Sequence, residues 1–273
     1  MENSVDRSRV VLVGAGNLAT SLGVALAAAG APPVAVWSRT AESAEALAAR
    51  VGCPACCDIN ELPAADIFII SVADDALPAV AQQVAARFPA AVIAHTAGSV
   101  PMDILRVAGA GRYGVFYPMQ TFSKQRVVPF DNISVFVEGC SPQVAALLAG
   151  VASMLTGKVV HATSEQRRYL HIAAVFACNF ANAAYGMAAK LLEANGLSFD
   201  AMLPLVDETA AKVHSLHPRD AQTGPARRGD VAVMNAHKAM LDGPLKDIYT
   251  VLSDYITAEA ARDNNENNKI LPQ

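Results

Sequence analysis

The valine-rich run Arg9–Val13 (RVVLV) passes directly into Gly14-Ala15-Gly16-Asn17-Leu18-Ala19 and then into an alanine-rich stretch, residues 20–29, with helical spacing. A strand feeding a helix through two glycines constrains the fold more than any other feature of the chain. A strand apolar on both faces belongs in a parallel sheet covered by helices. Gly14 allows the tight turn, Gly16 lets the backbone approach a pyrophosphate, and Ala19 lets helix and strand pack closely. Amides at the helix start then face an anion. Gly14, Ala15, Gly16, Asn17 and Leu18 are therefore expected to cradle a dinucleotide.

The second strand, Pro33–Trp37, ends in Ser38-Arg39-Thr40. NAD-binding sheets place an acidic residue here to accept from the ribose 2′-hydroxyl. Two hydroxyls and a guanidinium suit a 2′-phosphate instead, so Ser38, Arg39 and Thr40 point to NADP as the cofactor. Strand and helix patterns then alternate: helix 41–50, strands 53–57 and 66–71, helix 76–87, strand 91–95, short helix 100–107 and strand 113–117. The rhythm predicts an α/β fold, a doubly wound parallel Rossmann sheet, whose ligands bind beyond the carboxyl ends of the strands. Val72, Ala73 and Asp74 lie at one such end, Thr96, Ala97 and Gly98 at another. The first group is expected beside the ribose or adenine and the second nearer the nicotinamide. Asp74-Asp75 also precedes a helix, where capping is the competing role. His95 reads equally as a satisfied histidine at a strand end.

The sixth strand ends in an unusually rich segment, residues 114–124, GVFYPMQTFSK. Its hydroxyls, amide, amine and rings exceed what a connecting turn needs and suit a small-molecule pocket. Tyr117, Ser123 and Lys124 are candidate substrate ligands, and Gln120 a candidate catalytic residue. Lys124 and Arg228 are candidate partners for a carboxylate or simple surface charges.

A further strand (133–138), a helix (143–155) and a short strand (158–161) complete the first domain, set at residues 1–160. An all-α C-terminal domain follows at 161–265, with helices near 164–194, 199–216, 230–241 and 244–262, then an Asn-rich mobile tail at 266–273. His171–Ala189 is apolar and long enough to span a bilayer. It also carries His171, Asn179, Asn182 and Tyr185, and no second span accompanies it, so it reads as a long buried helix of a soluble protein. At 100° per residue, His171, Asn179 and Asn182 share a sector of roughly 80°, extended by Arg167 and Arg168. Polar groups in an apolar helix need partners. Neighbouring helices, a second copy of the chain, or the nicotinamide side of a cleft would each supply them.

Composition excludes other classes. Of 273 residues, 53% are hydrophobic and 17% charged, which supports a large core, and the formal charge of −4 lacks the basic footprint of nucleic-acid binding. Cys53, Cys56 and Cys57 have half the spacing of a zinc site, with no second pair to complete it, so no metal is expected. The N-terminus, MENSVDRSRV, lacks the apolar core of a signal peptide. A cytoplasmic enzyme is the expectation.

Together, GAGNLA (14–19), SVADDAL (71–77), HTAGS (95–99), GVFYPMQTFSK (114–124), HIAAVFACNFAN (171–182) and TGPARRGD (223–230) resemble a known group spread over nearly the whole chain. The chain resembles the 6-phosphogluconate dehydrogenase superfamily and, within it, the pyrroline-5-carboxylate-reductase-like NADP oxidoreductases whose helical C-terminal domain has no assigned function. The resemblance implies a Rossmann domain, NADP, hydride transfer and a homodimer formed through the helical domains, and it names no substrate. Relatives place a lysine on this helix with an asparagine four residues later. Here His171 is followed at that spacing by Val175, and Asn179 comes one step further on. Prephenate-dehydrogenase-like relatives carry His-Pro-Met where this chain has Tyr117-Pro118-Met119. The expected enzyme passes a hydride between NADPH and a small C=O or C=N carbon, with His171 as proton donor, Asn179 as a catalytic residue orienting the substrate or the carboxamide, and Asn182 as a substrate ligand. A non-catalytic NADP sensor and a deazaflavin-dependent reductase are the alternative readings.

Overall fold

The computed structural model describes residues 8–270. The first half alternates strand and helix: β1 (Val10–Val13), α1 (Asn17–Ala28), β2 (Ala35–Trp37), α2 (Ala41–Val51), β3 (Ala55–Cys56), β4 (Ile67–Ile70), α3 (Leu77–Arg87), β5 (Val92–His95), α4 (Asp103–Val107) and β6 (Arg112–Pro118). After β6 come β7 (Val135–Gly139), α5 (Pro142–Ser153) and β8 (Val159–His161), giving one eight-stranded sheet ordered β3-β2-β1-β4-β5-β6-β7-β8. The first six strands are parallel and wound outward in both directions from β1, as the βα rhythm predicts.

Alternation along each strand divides the core into two layers. Leu12, Ile67, Ile69 and Ala94 pack on one face with Leu22 and Leu26 of α1 and Leu148 of α5. Val11, Val13, Phe68, Ile70 and Ile93 pack on the other with Leu77, Val80 and Val84 of α3. Both faces of the inner strands are therefore dry. Each fully buried Leu, Ile or Phe contributes about 1.5–3 kcal/mol of transfer free energy.

The sheet departs from a wholly parallel one at β7, which runs antiparallel to β6, pairing Phe116 with Val137 and Pro118 with Val135. A parallel neighbour needs a crossover element, and residues 119–134 hold no helix or strand. The chain folds back instead. The α5 crossover then restores a parallel pair between β7 and β8.

The chain divides into two compact units, Met1–Phe180 and Ala181–Gln273. The division falls later than residue 160 because α6 (Ser164–Ala174) is fastened to the sheet. Arg167, 1% exposed, donates from Nη1 to Glu138 Oε2 of β7 at 2.6 Å and from Nη2 to the Val100 carbonyl at 2.6 Å. Ser164 adds backbone and hydroxyl bonds to the same carboxylate at 2.9 and 2.7 Å. Thr163 and Gln166 form a reciprocal capping box at the helix start. Arg167 is thus an anchor rather than part of a polar stripe.

Helix α6 runs into a π-helical segment, Val175–Phe180, and then α7 (Ala181–Glu193). The expectation of a buried helix fails here: the apolar part of Ser164–Glu193, with a mean hydropathy of 1.4, has none of its residues buried within the chain. Among the described residues no other helix is both long and apolar enough to cross a membrane. The second unit continues with α8 (Leu203–Lys212), α9 (Pro218–Ala221), α10 (Pro225–Arg228), α11 (Val231–Ala239) and α12 (Gly243–Ile270). The sequence places α9 and α10 in a loop, and α12 extends over part of the expected tail, of which residues 271–273 lie outside the described residues. Thr257 of α12 donates to the Ala226 carbonyl of α10 at 3.2 Å, and Asp263 receives Arg219 and Arg227.

Candidate active site

Two cavities lie at the carboxyl ends of the strands within the first unit. The larger, 720 Å³, is lined by Gly14–Leu18, Ser38-Arg39-Thr40, Ser43, Ser71–Ala76, Thr96, Ala97 and Lys124. It joins the ends of β1, β2, β4 and β5, so four segments predicted separately meet on one wall.

Its floor is the glycine turn. Gly14 has φ +128°, and a Cβ there would stand 2.1 Å from the Ser71 carbonyl oxygen. Only glycine fits that turn. At Gly16 a Cβ would meet nothing within 4 Å, which leaves the space a diphosphate requires. Gly16 is the N-cap of α1 and offers no side-chain cap, so the first-turn amides are free to bind an anion. Arg39 makes no ion pair or hydrogen bond with the described residues and is exposed at the cavity rim. The residues present fit NADP: an open glycine cradle, free amides and an unengaged guanidinium flanked by hydroxyls. Asp74 does not cap α3, whose N-cap Ala76 has no side-chain bond; it accepts instead from the Ser99 hydroxyl at 2.9 Å, tying two strand-end loops together.

The second cavity, 520 Å³, is lined by Tyr117, Met119, Gln120 and Thr121 from the end of β6, and by Leu170, His171, Ala173–Val175, Ala177, Cys178 and Asn179 from α6 and the π segment. Tyr117 Oη lies 3.4 Å from His171 Nδ1. Gly98 seats the pair from the cofactor side: a Cβ there would stand 2.6 Å from His171 Nδ1 and 2.9 Å from Tyr117 Oη. The loop after β5 that contributes Thr96 and Ala97 to the first cavity therefore touches the titratable pair of the second.

Burial raises the Tyr117 pKa, with the nearby Arg167 charge acting in the opposite direction, so the phenol stays protonated at neutral pH and able to donate. His95, fully buried, is pushed down to about 4 by desolvation and then by Arg167, with a hydrogen bond to the Pro101 backbone acting the other way. Its Nδ1 accepts from the Ala97 amide at 3.2 Å and so shapes the loop rather than facing a ligand.

Of the expected site residues, His171, Asn179, Gln120 and Tyr117 come together in the second cavity. Gln120 is engaged locally, its side-chain oxygen accepting from the Thr121 amide at 2.8 Å. Lys124 lines the first cavity instead of the second. Ser123 lines neither, its hydroxyl accepting from the Arg126 amide at 3.3 Å in a turn. Asn182, in α7, and Arg228 belong to the second unit and are exposed. The sequence reading missed Ser43, one turn into α2 from the Ser38-Arg39-Thr40 group, and Thr121 and Cys178. All three sit inside or beside motifs already singled out, and adjacency was the available signal.

A family described as a domain of unknown function (DUF2520) matches residues 133–256, and shikimate / quinate 5-dehydrogenase matches residues 1–93. Among curated proteins no match was found. The crystal structure of a putative NADP oxidoreductase from Bacteroides fragilis is similar at 47% sequence identity and a TM-score of 0.88, covering 93% of this chain and 100% of that one. An imine reductase from Streptomyces aurantiacus shares the fold at 19% identity and a TM-score of 0.68, covering 93% and 98% of the two chains. So does an imine reductase from Myxococcus stipitatus in complex with NADP+, at 17% identity and a TM-score of 0.64, covering 94% of each. With its glycine cradle, its Arg39 rim and this likeness over nearly its whole length, the chain belongs to the family of NADP oxidoreductases that the Bacteroides protein represents, a Rossmann-like domain followed by a helical C-terminal domain.

Proposed function

We propose that the protein reduces a small C=O or C=N substrate with NADPH, and that the Tyr117–His171 pair delivers the proton. The observation that carries the proposal is the convergence of a phenol and an imidazole, 3.4 Å apart, against the loop that also lines the cofactor cavity. When bound, NADPH supplies the hydride. The chain's part is to hold the acceptor and satisfy the charge that develops on its heteroatom. Tyr117 Oη, kept protonated by burial, is the donor to the substrate. His171, half-buried, exchanges a proton with Tyr117 and so restores it after each cycle. Asn179 and Thr121 orient the substrate, and Met119, Leu170, Val175 and Ala177 give the cavity its apolar wall.

The imine reductases of this fold support a C=N acceptor by analogy of architecture alone. NADPH consumption with a panel of ketones and cyclic imines tests the reading. Turnover of at least one class is expected. NADPH binding with no turnover across the whole panel would instead support a non-catalytic sensor.

The working form is proposed to be a cytoplasmic homodimer. Tyr169, Ile172, Phe176 and Phe180 are more than half exposed along the apolar helical run, and Leu205, Val251, Leu252 and Tyr255 are likewise exposed in the second unit. Surface this apolar is covered by a partner in a soluble protein. A second copy of the chain presents the same surface and buries both.

A further inference from the structure

The loop between β6 and β7 was expected to offer Lys124 to a substrate carboxylate, but its course brings this residue to the other cavity. Residues 119–134 fold back along α1. Phe122 stacks on Phe130 with ring centroids 6.0 Å apart, and both pack on the core layer that contains Ala15, Ala19 and Leu22. Further on, Val127–Asp131 share a cavity wall with Ser21, Val24, Ala25 and Ala28 of α1. Lys124 lies between these two anchor points, and it lines the cofactor cavity together with Gly14–Leu18, the turn at the N-terminus of α1. It makes no ion pair or hydrogen bond with the described residues, and Arg39 is the one other Lys or Arg in that lining. Arg39 stands at the end of β2, where the ribose phosphate belongs. Lys124 is the remaining basic side chain on a cavity wall that includes the free amides of the glycine turn, where the diphosphate of the cofactor would lie.

We propose that Lys124 binds the diphosphate bridge of the cofactor, closing over it from the β6–β7 loop. The proposal rests on the NADP assignment and deepens it. An ammonium ion is a compact point charge suited to phosphate. It completes a neutralisation that amides alone leave partial. It also couples the β6–β7 loop, whose first residues line the substrate cavity, to the presence of cofactor.

The diphosphate is common to NADPH and NADH, whereas the 2′-phosphate is not. Dissociation constants for both nucleotides, measured by fluorescence titration on wild type, Lys124→Ala, Lys124→Arg and Arg39→Ala, separate the roles. Lys124→Ala is expected to weaken NADPH and NADH by the same factor, about tenfold or more, as the loss of a charge-assisted hydrogen bond implies. Lys124→Arg should recover most of that loss. Arg39→Ala should weaken NADPH alone. Unchanged constants in Lys124→Ala would overturn the proposal, and so would weakening confined to NADPH, which would move Lys124 to the 2′-phosphate. Failure of the wild type to bind either nucleotide would sink the cofactor assignment itself, a distinct result.

Discussion

At the scale of single residues, the structure brings together side chains that the sequence keeps far apart. Tyr117 and His171 each stood out alone, one in a polar loop and one on an apolar helix. Their pairing across 54 positions was not legible, because nothing local encodes it. Gly98 shows the same gap. It read as part of a nucleotide loop, yet its missing side chain is what lets Tyr117 and His171 approach. Gly98→Ala is expected to push the pair apart and lower kcat about tenfold, with NADPH affinity nearly unchanged, as steady-state kinetics and cofactor titration would show. Gly14→Ala should instead cost about 2 kcal/mol or more of stability through its positive φ and its clash with the Ser71 carbonyl, read from urea unfolding. His95 supplies a pH test. Its folded pKa of about 4 lies below the ordinary 6.5, so the unfolded chain binds a proton that the native state refuses. Its stability contribution is full above about 6.5 and is lost as pH falls toward about 4, by up to about 3 kcal/mol. Urea midpoints should fall between pH 7 and pH 5 in wild type, and less steeply in His95→Gln.

Among the elements, the βα alternation was legible because each strand and helix carries its own period. The glycine turn, the parallel strands and the Arg39 rim followed from that. The antiparallel β7 was not, since its direction depends on the missing crossover after Pro118 rather than on the strand's residues. Nor was the π segment Val175–Phe180. One extra residue per turn shifts the phase of everything beyond it, and so the shared sector of His171, Asn179 and Asn182 cannot be read from a 100° step. His171 and Asn179 do share a cavity, but Asn182 is not among its lining residues. Helix α6 is aimed by the Glu138–Arg167 pair, one turn before His171. Arg167→Met leaves a carboxylate without its countercharge and is expected to cost about 3–5 kcal/mol. Pairing it with Glu138→Gln should recover part of that loss in a double-mutant cycle of unfolding free energies, while kcat stays low because His171 has lost its support.

For the whole molecule, the long apolar helix posed a choice between core and membrane, and burial in one chain resolved neither. Its exposed face instead motivates the dimer. Sedimentation at micromolar concentration should give twice the 28.5 kDa chain mass, and Phe176→Glu with Phe180→Glu should shift the protein to monomer. Composition does not separate these cases, because an apolar helix looks the same whether its cover comes from its own chain or another. In the proposed function, Tyr117 and His171 form the proton-delivering pair of an NADPH-dependent reductase. The most direct test of this claim is single-turnover oxidation of bound NADPH at saturating acceptor in wild type, Tyr117→Phe and His171→Ala. Both variants are predicted to slow the step by about a hundredfold or more, with NADPH affinity retained. A wild-type rate in both would contradict the claim.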